Sequence, residues 1–96
     1  MIKGFLSKAA KDIYNGINSR YSRSLPKELH GKAYRLLDQL NAINLIDTLK
    51  TPPSNHLEKL IGDRLGSYSI KINDQWRVCF VWQDGIVIDV EIVDYH

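Results

Sequence analysis

Apolar positions in the second quarter of the chain recur at helical spacing. They follow an i, i+4, i+7, i+8 pattern that places them in one stripe: Leu29, Ala33, Leu36, Leu37, Leu40 and Ile43. The stripe predicts a helix that packs on a flat apolar partner, and Pro26 suits the first turn of that helix. Upstream, Ser7 is suited to cap a first helix running toward Ile17, and the polar, basic segment 18–24 predicts the connection between them.

Beyond residue 55 the period changes from helical to alternating. Pro52 and Pro53 are predicted to end the helical part, because proline lacks a backbone donor and disfavours helix in the residue before it. Alternating apolar and polar residues then predict strands over 56–60, 68–72, 76–82 and 86–93, separated by clusters of turn-forming residues. Another short strand is predicted over 2–5.

The order of these elements predicts an α+β domain, with two helices packed on one face of a small antiparallel β-sheet. In the last strand, strict alternation predicts one apolar face, made of Ile86, Ile88, Val90 and Ile92. The other face of the sheet is predicted to stay partly open, and this is where we expect a ligand.

The length and the cysteine usage limit the class of protein. A chain of 96 residues predicts one domain over residues 1–96. Cys79 is the one cysteine and lies in an apolar run, which predicts a buried thiol and excludes an intrachain disulfide. No segment approaches the roughly 18 apolar residues of a membrane span, and the N-terminus lacks the apolar stretch of a signal peptide. We therefore expect a cytoplasmic protein without a membrane partner.

Charge is distributed unevenly along the chain. The net charge is +2, but residues 1–35 carry eight basic and two acidic side chains, and residues 83–96 carry four acidic ones. Such a basic segment is typical of proteins that bind a polyanion or an acidic partner, although solvated helix surfaces explain it equally well. If the polyanion is RNA, the candidate contacts are Lys8, Lys11, Arg20, Arg23 and Lys71.

Two places in the sequence are candidates for chemistry. The chain ends in Asp94-Tyr95-His96, which is either a solvated tail or a group of proton-exchanging side chains. Arg77 lies in an otherwise apolar strand, where its permanent charge must find an anion or reach solvent. That anion is either a carboxylate across the sheet, such as Asp89 or Glu91, or a phosphate group. The three histidines and one cysteine lack metal-ligand spacing, so we expect no metal and no cofactor.

A family resemblance rests on a combination of motifs. The stretch Ser69-Ile70-Lys71-Ile72-Asn73-Asp74-Gln75-Trp76-Arg77, together with the closing Asp94-Tyr95-His96, resembles the C-terminal half of the HigB toxins of the RelE superfamily. The resemblance implies a RelE-like fold and metal-independent cleavage of mRNA in the ribosomal A site. It also implies a HigA-type antitoxin partner, whose helix-turn-helix domain represses the shared promoter, so that operator DNA is contacted only through the antitoxin.

By position, Arg77 corresponds to the arginine that follows the family's tryptophan, and Asp94, Tyr95 and His96 correspond to its closing catalytic tripeptide. RNA supplies its own nucleophile, the 2′-hydroxyl, so the enzyme has to supply a base, an acid and positive charge. The resemblance assigns proton transfer to Asp94 and His96, charge to Arg77, and stacking or acid support to Tyr95. His96 ranks above Tyr95 because an imidazole exchanges protons near neutral pH.

The chain departs from the family before its Gly62-Asp63 turn. Many HigB toxins have Leu-His-Pro-Leu-Lys-Gly there, whereas this chain has Leu-Glu-Lys-Leu-Ile-Gly, with Glu58 in the histidine position and Ile61 in the lysine position. A shift of two residues keeps the same face of a strand, so His56 or Lys59 is expected to compensate in part if this segment is extended, with cleavage slower or differently balanced. The residues that could support the site are His56, Glu58, Lys59 and Arg64.

Two functions of other classes stay open on the sequence alone. The first is a ribosome-binding or RNA-binding growth inhibitor without catalysis, which the basic first third and the missing His/Lys pair favour. The second is a subunit that acts chiefly as a transcriptional co-repressor with its antitoxin. Replacing Asp94, Arg77 and His96 together separates the first from a nuclease, because a binder keeps its growth inhibition.

Overall fold

The computed structural model describes residues 1–60 and 66–95. Two helices precede four strands, as predicted, and the elements are α1 Lys8–Tyr14, α2 His30–Ala42, β1 Glu58–Lys59, β2 Ser67–Lys71, β3 Trp76–Gln83 and β4 Ile86–Asp94. Short 3-10 turns separate them, at Ser22–Ser24, Lys27–Leu29, Ile46–Lys50 and Pro53–Asn55.

The strands form one antiparallel sheet in the order β1-β2-β3-β4, which confirms the predicted meander. The predicted strand over residues 2–5 is reduced to two isolated parallel bridges, from Ile2 to Val87 and from Phe5 to Val90. The predicted turn over 62–66 lies outside the described residues except for Gly66. Through the two bridges to Val87 and Val90, the N-terminal segment pairs with the outer edge of β4.

Helix α1 begins where the sequence predicts. The Ser7 hydroxyl accepts the Ala10 amide at 3.2 Å, which satisfies one of the free donors at the start of a helix. The helix ends at Tyr14, short of Ile17, and Gly16 follows it with a φ of +71° that glycine adopts without strain. The predicted start of the second helix at Pro26 is wrong, because a 3-10 turn comes first and α2 begins at His30.

The apolar stripe of α2 lies in the core and packs against one face of the sheet. Its buried members are Ala33, Leu36, Leu37, Leu40 and Ile43, and the sheet residues in the same cluster are Ile70, Ile72, Val78, Phe80, Val87 and Val90. Each fully buried leucine contributes roughly 1.5–3 kcal/mol relative to an exposed one. The predicted α+β arrangement, with both helices on one face, is confirmed. Cys79 is buried, also as predicted.

The predicted alternation of β4 is wrong because the strand contains a bulge. The pairing passes from Cys79 with Glu91 to Val81 with Ile88, so two residues of β4 oppose Phe80 alone. The extra residue is Asp89, whose φ is +53°. It reverses the alternation, so that Val87 and Val90, which are three positions apart, are both buried in the core. Ile86 and Ile88 are only partly buried and lie outside the core cluster.

No helix in the described ranges is long and apolar enough to span a bilayer.

Candidate active site on the open face of the sheet

The register of the strands separates the residues of the helix-covered face from those of the open face. Tyr68 with Phe80, and Ile70 with Val78 and Ile92, form rows under the helices. The intervening rows lie on the other face, and they are Ser69 with Cys79 and Glu91, and Lys71 with Arg77 and Val93. The candidate Arg77 is therefore on the face away from the helices, called the open face below. This face is open only in part, because Ser69, Cys79 and Arg77 are buried while Lys71, Glu91 and Val93 are partly exposed.

Arg77 is buried, and its guanidinium is held on several sides. Its Nε donates to the Ser69 hydroxyl at 2.9 Å, and its Nη2 donates to the His56 carbonyl at 2.5 Å. Its Nη1 lies 3.8 Å from Oε1 of Glu58. Because the group stays protonated, these partners fix the plane of the guanidinium and reduce the cost of burying its charge. The result is a positioned cation in the open face.

The carboxylate beside Arg77 comes from β1, where the sequence analysis considered Asp89 or Glu91 of β4. Glu58 pairs with Ser69 in the register, which places both in the row next to Arg77. The Glu58 side chain is 56% exposed, so it reaches both the guanidinium and solvent. The residue that occupies the family's histidine position is thus brought to the candidate site.

The side chains of the other supporting candidates are not shown beside Arg77. His56 adopts a left-handed conformation with φ 45° and ψ 59°. The segment is therefore not extended at His56, and the condition for His56 to compensate for the family's missing histidine does not hold. Its carbonyl oxygen is the atom that contacts Arg77. Lys59 pairs with Tyr68 and lies on the face opposite to Glu58. Arg64 lies outside the described residues.

Of the C-terminal candidates, Tyr95 lies beside Arg77, and Asp94 lies in the neighbouring row. The Tyr95 ring centroid lies 5.8 Å from Cζ of Arg77, and the Tyr95 amide donates to the Gln75 carbonyl, which continues the pairing of β4 past its last residue. Asp94 pairs with Trp76, which places it at the same end of the sheet in the neighbouring row. It is exposed and accepts a hydrogen bond from Nε2 of Gln75 at 3.2 Å. His96 lies outside the described residues.

Lys71 adds a second positive charge to the open face. It is the register partner of Arg77, so two cations lie side by side, and each has a carboxylate close by, Asp74 beside Lys71 and Glu58 beside Arg77. Its ammonium lies 2.7 Å from Oδ1 of Asp74, and this hydrogen-bonded contact lowers the pKa of the Asp74 carboxyl.

The other basic candidates gather around α1 and the segment that follows it. Nζ of Lys8 and Cζ of Arg20 lie 5.2 and 4.9 Å from the Tyr21 ring centroid. Arg23 donates to the Asn18 side chain at 2.9 Å, and Lys11 is exposed on α1.

This basic group borders the sheet, because the Ser7 hydroxyl at the start of α1 accepts the Ile92 amide at 3.3 Å. The start of α1 and the end of β4 are therefore neighbours.

Two residues of the site, Ser69 and Gln75, were not predicted from the sequence. Ser69 anchors Arg77, and Gln75 contacts both Asp94 and Tyr95. The signal for Ser69 was its position two residues before Lys71, on the same face of a strand that pairs with β3. Gln75 gave no such signal, because its contacts depend on how the turn between β2 and β3 meets the end of β4. Within residues 1–60 and 66–95, no three histidine, cysteine or acidic side chains come together as metal ligands do.

Comparison with known proteins places this geometry in a family. A family model described as the RelE-like toxin of the type II toxin-antitoxin system HigB matches residues 3–96. Toxin HigB-1 of Vibrio cholerae serotype O1 is 34% identical over 85 residues, which cover 88% of this chain and 87% of that toxin.

Solved structures share the fold at lower identity. A chain of the YoeB-YefM toxin-antitoxin complex from Staphylococcus aureus matches with a TM-score of 0.59 and 22% identity, over 100% of this chain and 98% of that one. YafQ from Escherichia coli matches with a TM-score of 0.59 and 14% identity, over 98% and 91% of the two chains. The RelE-like fold is thus confirmed, and the protein belongs to the HigB family of RelE-like toxins of type II toxin-antitoxin systems.

Proposed function

We propose that this toxin is a ribosome-dependent mRNA endonuclease that inhibits translation and growth by cutting messages in the ribosomal A site. The observation that carries the proposal is the placement of Arg77, a buried guanidinium fixed by Ser69 and His56 and flanked by the Glu58 carboxylate and the Tyr95 ring. An arginine with only a structural role needs its anion, but it does not need an exposed aromatic ring beside its guanidinium, as Tyr95 provides here.

The chemistry begins at the 2′-hydroxyl of the message. A base removes its proton, the oxygen attacks the adjacent phosphorus, and the bond to the 5′-oxygen breaks as an acid protonates that leaving group. The products are a 2′,3′-cyclic phosphate and a 5′-hydroxyl end. We assign the two proton transfers to Asp94 and His96, following the family's closing tripeptide. Because the nucleophile is internal and the cation is part of the protein, the proposed reaction is metal-independent.

Arg77 stabilises the extra negative charge on the phosphorus oxygens in the transition state. A fixed donor aimed at developing charge contributes about 10²–10³ in rate. Tyr95 is suited to stack on a base or to support the acid, since its ring is partly exposed beside the guanidinium. Glu58 lies beside Arg77, so an incoming phosphate shares the guanidinium with this carboxylate or displaces it. His56 supports Arg77 through its carbonyl oxygen, and Lys59 has no part in this proposal because it lies on the opposite face. Charge support from Arg64 stays a prediction.

Positioning by the ribosome compensates for so small a set of groups. Holding the 2′-hydroxyl in line with the leaving oxygen lowers the barrier by several kcal/mol, on the order of 7–11 at most. The basic residues that we propose to contact ribosomal RNA or message are Lys8, Lys11, Arg20, Arg23 and Lys71. Free RNA, which is not held in line, is then a poor substrate.

The remaining assignments follow from this function. Residues 1–96 act as one domain, in the cytoplasm, where ribosomes are found. The partner is a HigA-type helix-turn-helix antitoxin, and operator DNA is reached only through it. The matched structure of the Staphylococcus toxin is itself a toxin-antitoxin complex, which supports a protein antitoxin.

The test is to map message 5′ ends by primer extension after adding the protein to a purified translation system. The proposal predicts new ends within codons, present on ribosome-bound message, absent on free message, and lost with His96→Ala. Inhibition of translation without new ends would replace the nuclease with a non-catalytic ribosome binder.

A further inference from the structure

A groove on the helical side of the molecule lies apart from Arg77. It has a volume of about 700 Å³ and runs between the end of α1, the following segment and the start of α2. Ile13 and Leu25 form its buried floor. Ile17 and Tyr34 line it while 50% and 47% exposed, so apolar surface faces solvent there. No residue of β1 to β4 lines the groove.

The glycine in the groove wall has no internal explanation. Gly31 belongs to α2, and a Cβ placed on it meets nothing within 4 Å. Gly31 is the second residue of α2 and is exposed, and neither a close neighbour nor a positive φ requires glycine there. What the missing side chain does provide is close access to the backbone of α2 from outside. A side chain of another molecule can therefore approach α2 closely at this point.

The charges around the groove are mainly positive. Arg23 and Lys27 are exposed at its rim. The acidic group in the lining, Asp12, accepts a hydrogen bond from the Ser19 hydroxyl at 2.6 Å, and the His30 ring is engaged with the Leu25 carbonyl at 2.9 Å. The groove therefore combines an aliphatic and aromatic floor with a cationic rim.

This combination favours an acidic amphipathic peptide over nucleic acid. A branched apolar side chain fills the floor formed by Ile13 and Leu25, while flanking carboxylates meet Lys27 and Arg23. Arg23 is the one rim residue that is also proposed to contact RNA, so the antitoxin and RNA compete for it. A phosphate backbone would meet the same cations but would leave the aliphatic floor without an apolar partner. Burial of the exposed Ile17 and Tyr34 gives the peptide its main anchor.

We propose that this groove is the docking site of the antitoxin, and that the antitoxin inserts an acidic amphipathic segment with an apolar side chain next to Gly31. The inference rests on the proposed function, which supplies the partner. It adds a surface on the helical side of the fold, separate from the open sheet face that carries Arg77.

The experiment uses the full-length toxin and the antitoxin encoded beside it, with the dissociation constant measured by calorimetry. Gly31→Phe fills the groove from an ordinary helical position, and Ala42→Phe adds a similar ring at the exposed far end of the same helix. Lys27→Glu reverses a rim charge, and Lys3→Glu makes the same change of net charge outside the groove. We expect Gly31→Phe and Lys27→Glu to weaken binding by about tenfold or more, as loss of an anchoring contact does, and the two controls to bind like the wild type.

A second measurement separates this inference from the proposed function. All four variants, without antitoxin, are expected to inhibit a purified translation system as the wild type does. Wild-type affinity in both groove variants overturns the docking site, even if translation is inhibited. Loss of ribosome binding in the groove variants with antitoxin affinity unchanged assigns the groove to RNA instead, and loss of a wild-type dimer assigns it to a second copy. Failure of the wild type to cut message overturns the proposed function but leaves the calorimetric test standing. If Gly31→Phe does not fold, the surface change Lys27→Glu decides the result.

Discussion

Oε1 of Glu58 lies 3.8 Å from Nη1 of Arg77, so the cation of the candidate site already has a carboxylate beside it. In the family the position of Glu58 is commonly a histidine, which does not carry negative charge. A phosphate that approaches Arg77 here must share the guanidinium with Glu58 or displace it. Because the Glu58 side chain is more than half exposed, solvent screens the pair and its strength is modest.

Replacing this carboxylate with the family's residue is expected to speed cleavage. Glu58→His removes the competing negative charge, and a screened pair worth about 0.2–1 kcal/mol corresponds to a rate increase of roughly one and a half to fivefold. The rate is measured at a single mapped cleavage site on ribosome-bound message. Glu28→His, an exposed position in the turn before α2, is the matched control and leaves the rate unchanged. A fall of tenfold or more would show instead that Glu58 itself takes part in proton transfer.

The ring of Tyr95, rather than its hydroxyl, is expected to matter for the placement of Arg77. Tyr95→Phe keeps a ring over the guanidinium and should cut at close to the wild-type rate. Tyr95→Ala removes a partly exposed cation–π contact worth about 0.5–1 kcal/mol, and should lower the rate by roughly two- to fivefold. Tyr34→Ala, which removes a similarly exposed ring on α2, serves as the control. Equal losses in the Phe and Ala variants would assign the hydroxyl a direct role in acid catalysis.

The phenol of Tyr14 is expected to make stability depend on alkaline pH. Burial and a 2.9 Å hydrogen bond to Asp38 raise the pKa of Tyr14, so the folded state favours the protonated phenol. Its contribution is complete below the unfolded pKa of about 10 and is lost as the pH rises through the raised folded pKa.

Tyr14→Phe removes that hydrogen bond and should lower the free energy of unfolding at neutral pH by about 0.5 kcal/mol, the low end for a bond near solvent. Denaturant unfolding at neutral pH and at about pH 10.5 checks it, and the variant should lose less stability between them than the wild type. Tyr68→Phe keeps Tyr14 and should follow the wild type. An unchanged pH dependence in Tyr14→Phe contradicts the assignment.

Because of the bulge in β4, a β-branched residue, which usually stabilises a strand, is expected to destabilise the protein at position 89. Because its φ is +53°, glycine fits this position and a β-branched residue is strained. Asp89→Gly should raise the free energy of unfolding by about 0.5 kcal/mol, and Asp89→Val should lower it by about 1–2 kcal/mol. Ile88→Val is the control at a neighbouring strand position. Stabilisation by valine at position 89 would mean that the strand is regular.

Local patterns predicted the elements well, because they record local chemistry. The stripe of α2, the Ser7 cap and the alternation of β2 and β3 each depend on residues a few positions apart. The bulge at Asp89 was not predictable in this way, since an aspartate in an alternating strand has the same pattern whether φ is negative or positive. The left-handed conformation of His56 was not predictable from the pattern either, and because of it the chain is not extended at this residue.

The candidate site was predicted only in part, because its side chains come from three strands that are distant in the sequence. The resemblance identified Arg77 and Tyr95, and the structure brings them together. The roles of Ser69 and Gln75 depend on register and on the meeting of two chain segments, which no single stretch of sequence specifies. The choice of Glu58 over Asp89 or Glu91 as the ion-pair partner likewise follows from the position of β1 at the edge of the sheet.

The message's own 2′-hydroxyl is the nucleophile in the proposed reaction, and the most direct measurement is cleavage of two ribosome-bound messages that differ at one atom. One carries ribose throughout, and the other carries a single 2′-deoxy sugar at the mapped cleavage position. Cleavage of the first message, with a cyclic phosphate end, and none of the second while the toxin still binds the ribosome is the result expected. Cleavage of both messages, or arrested translation with neither message cut, would contradict the proposed nuclease.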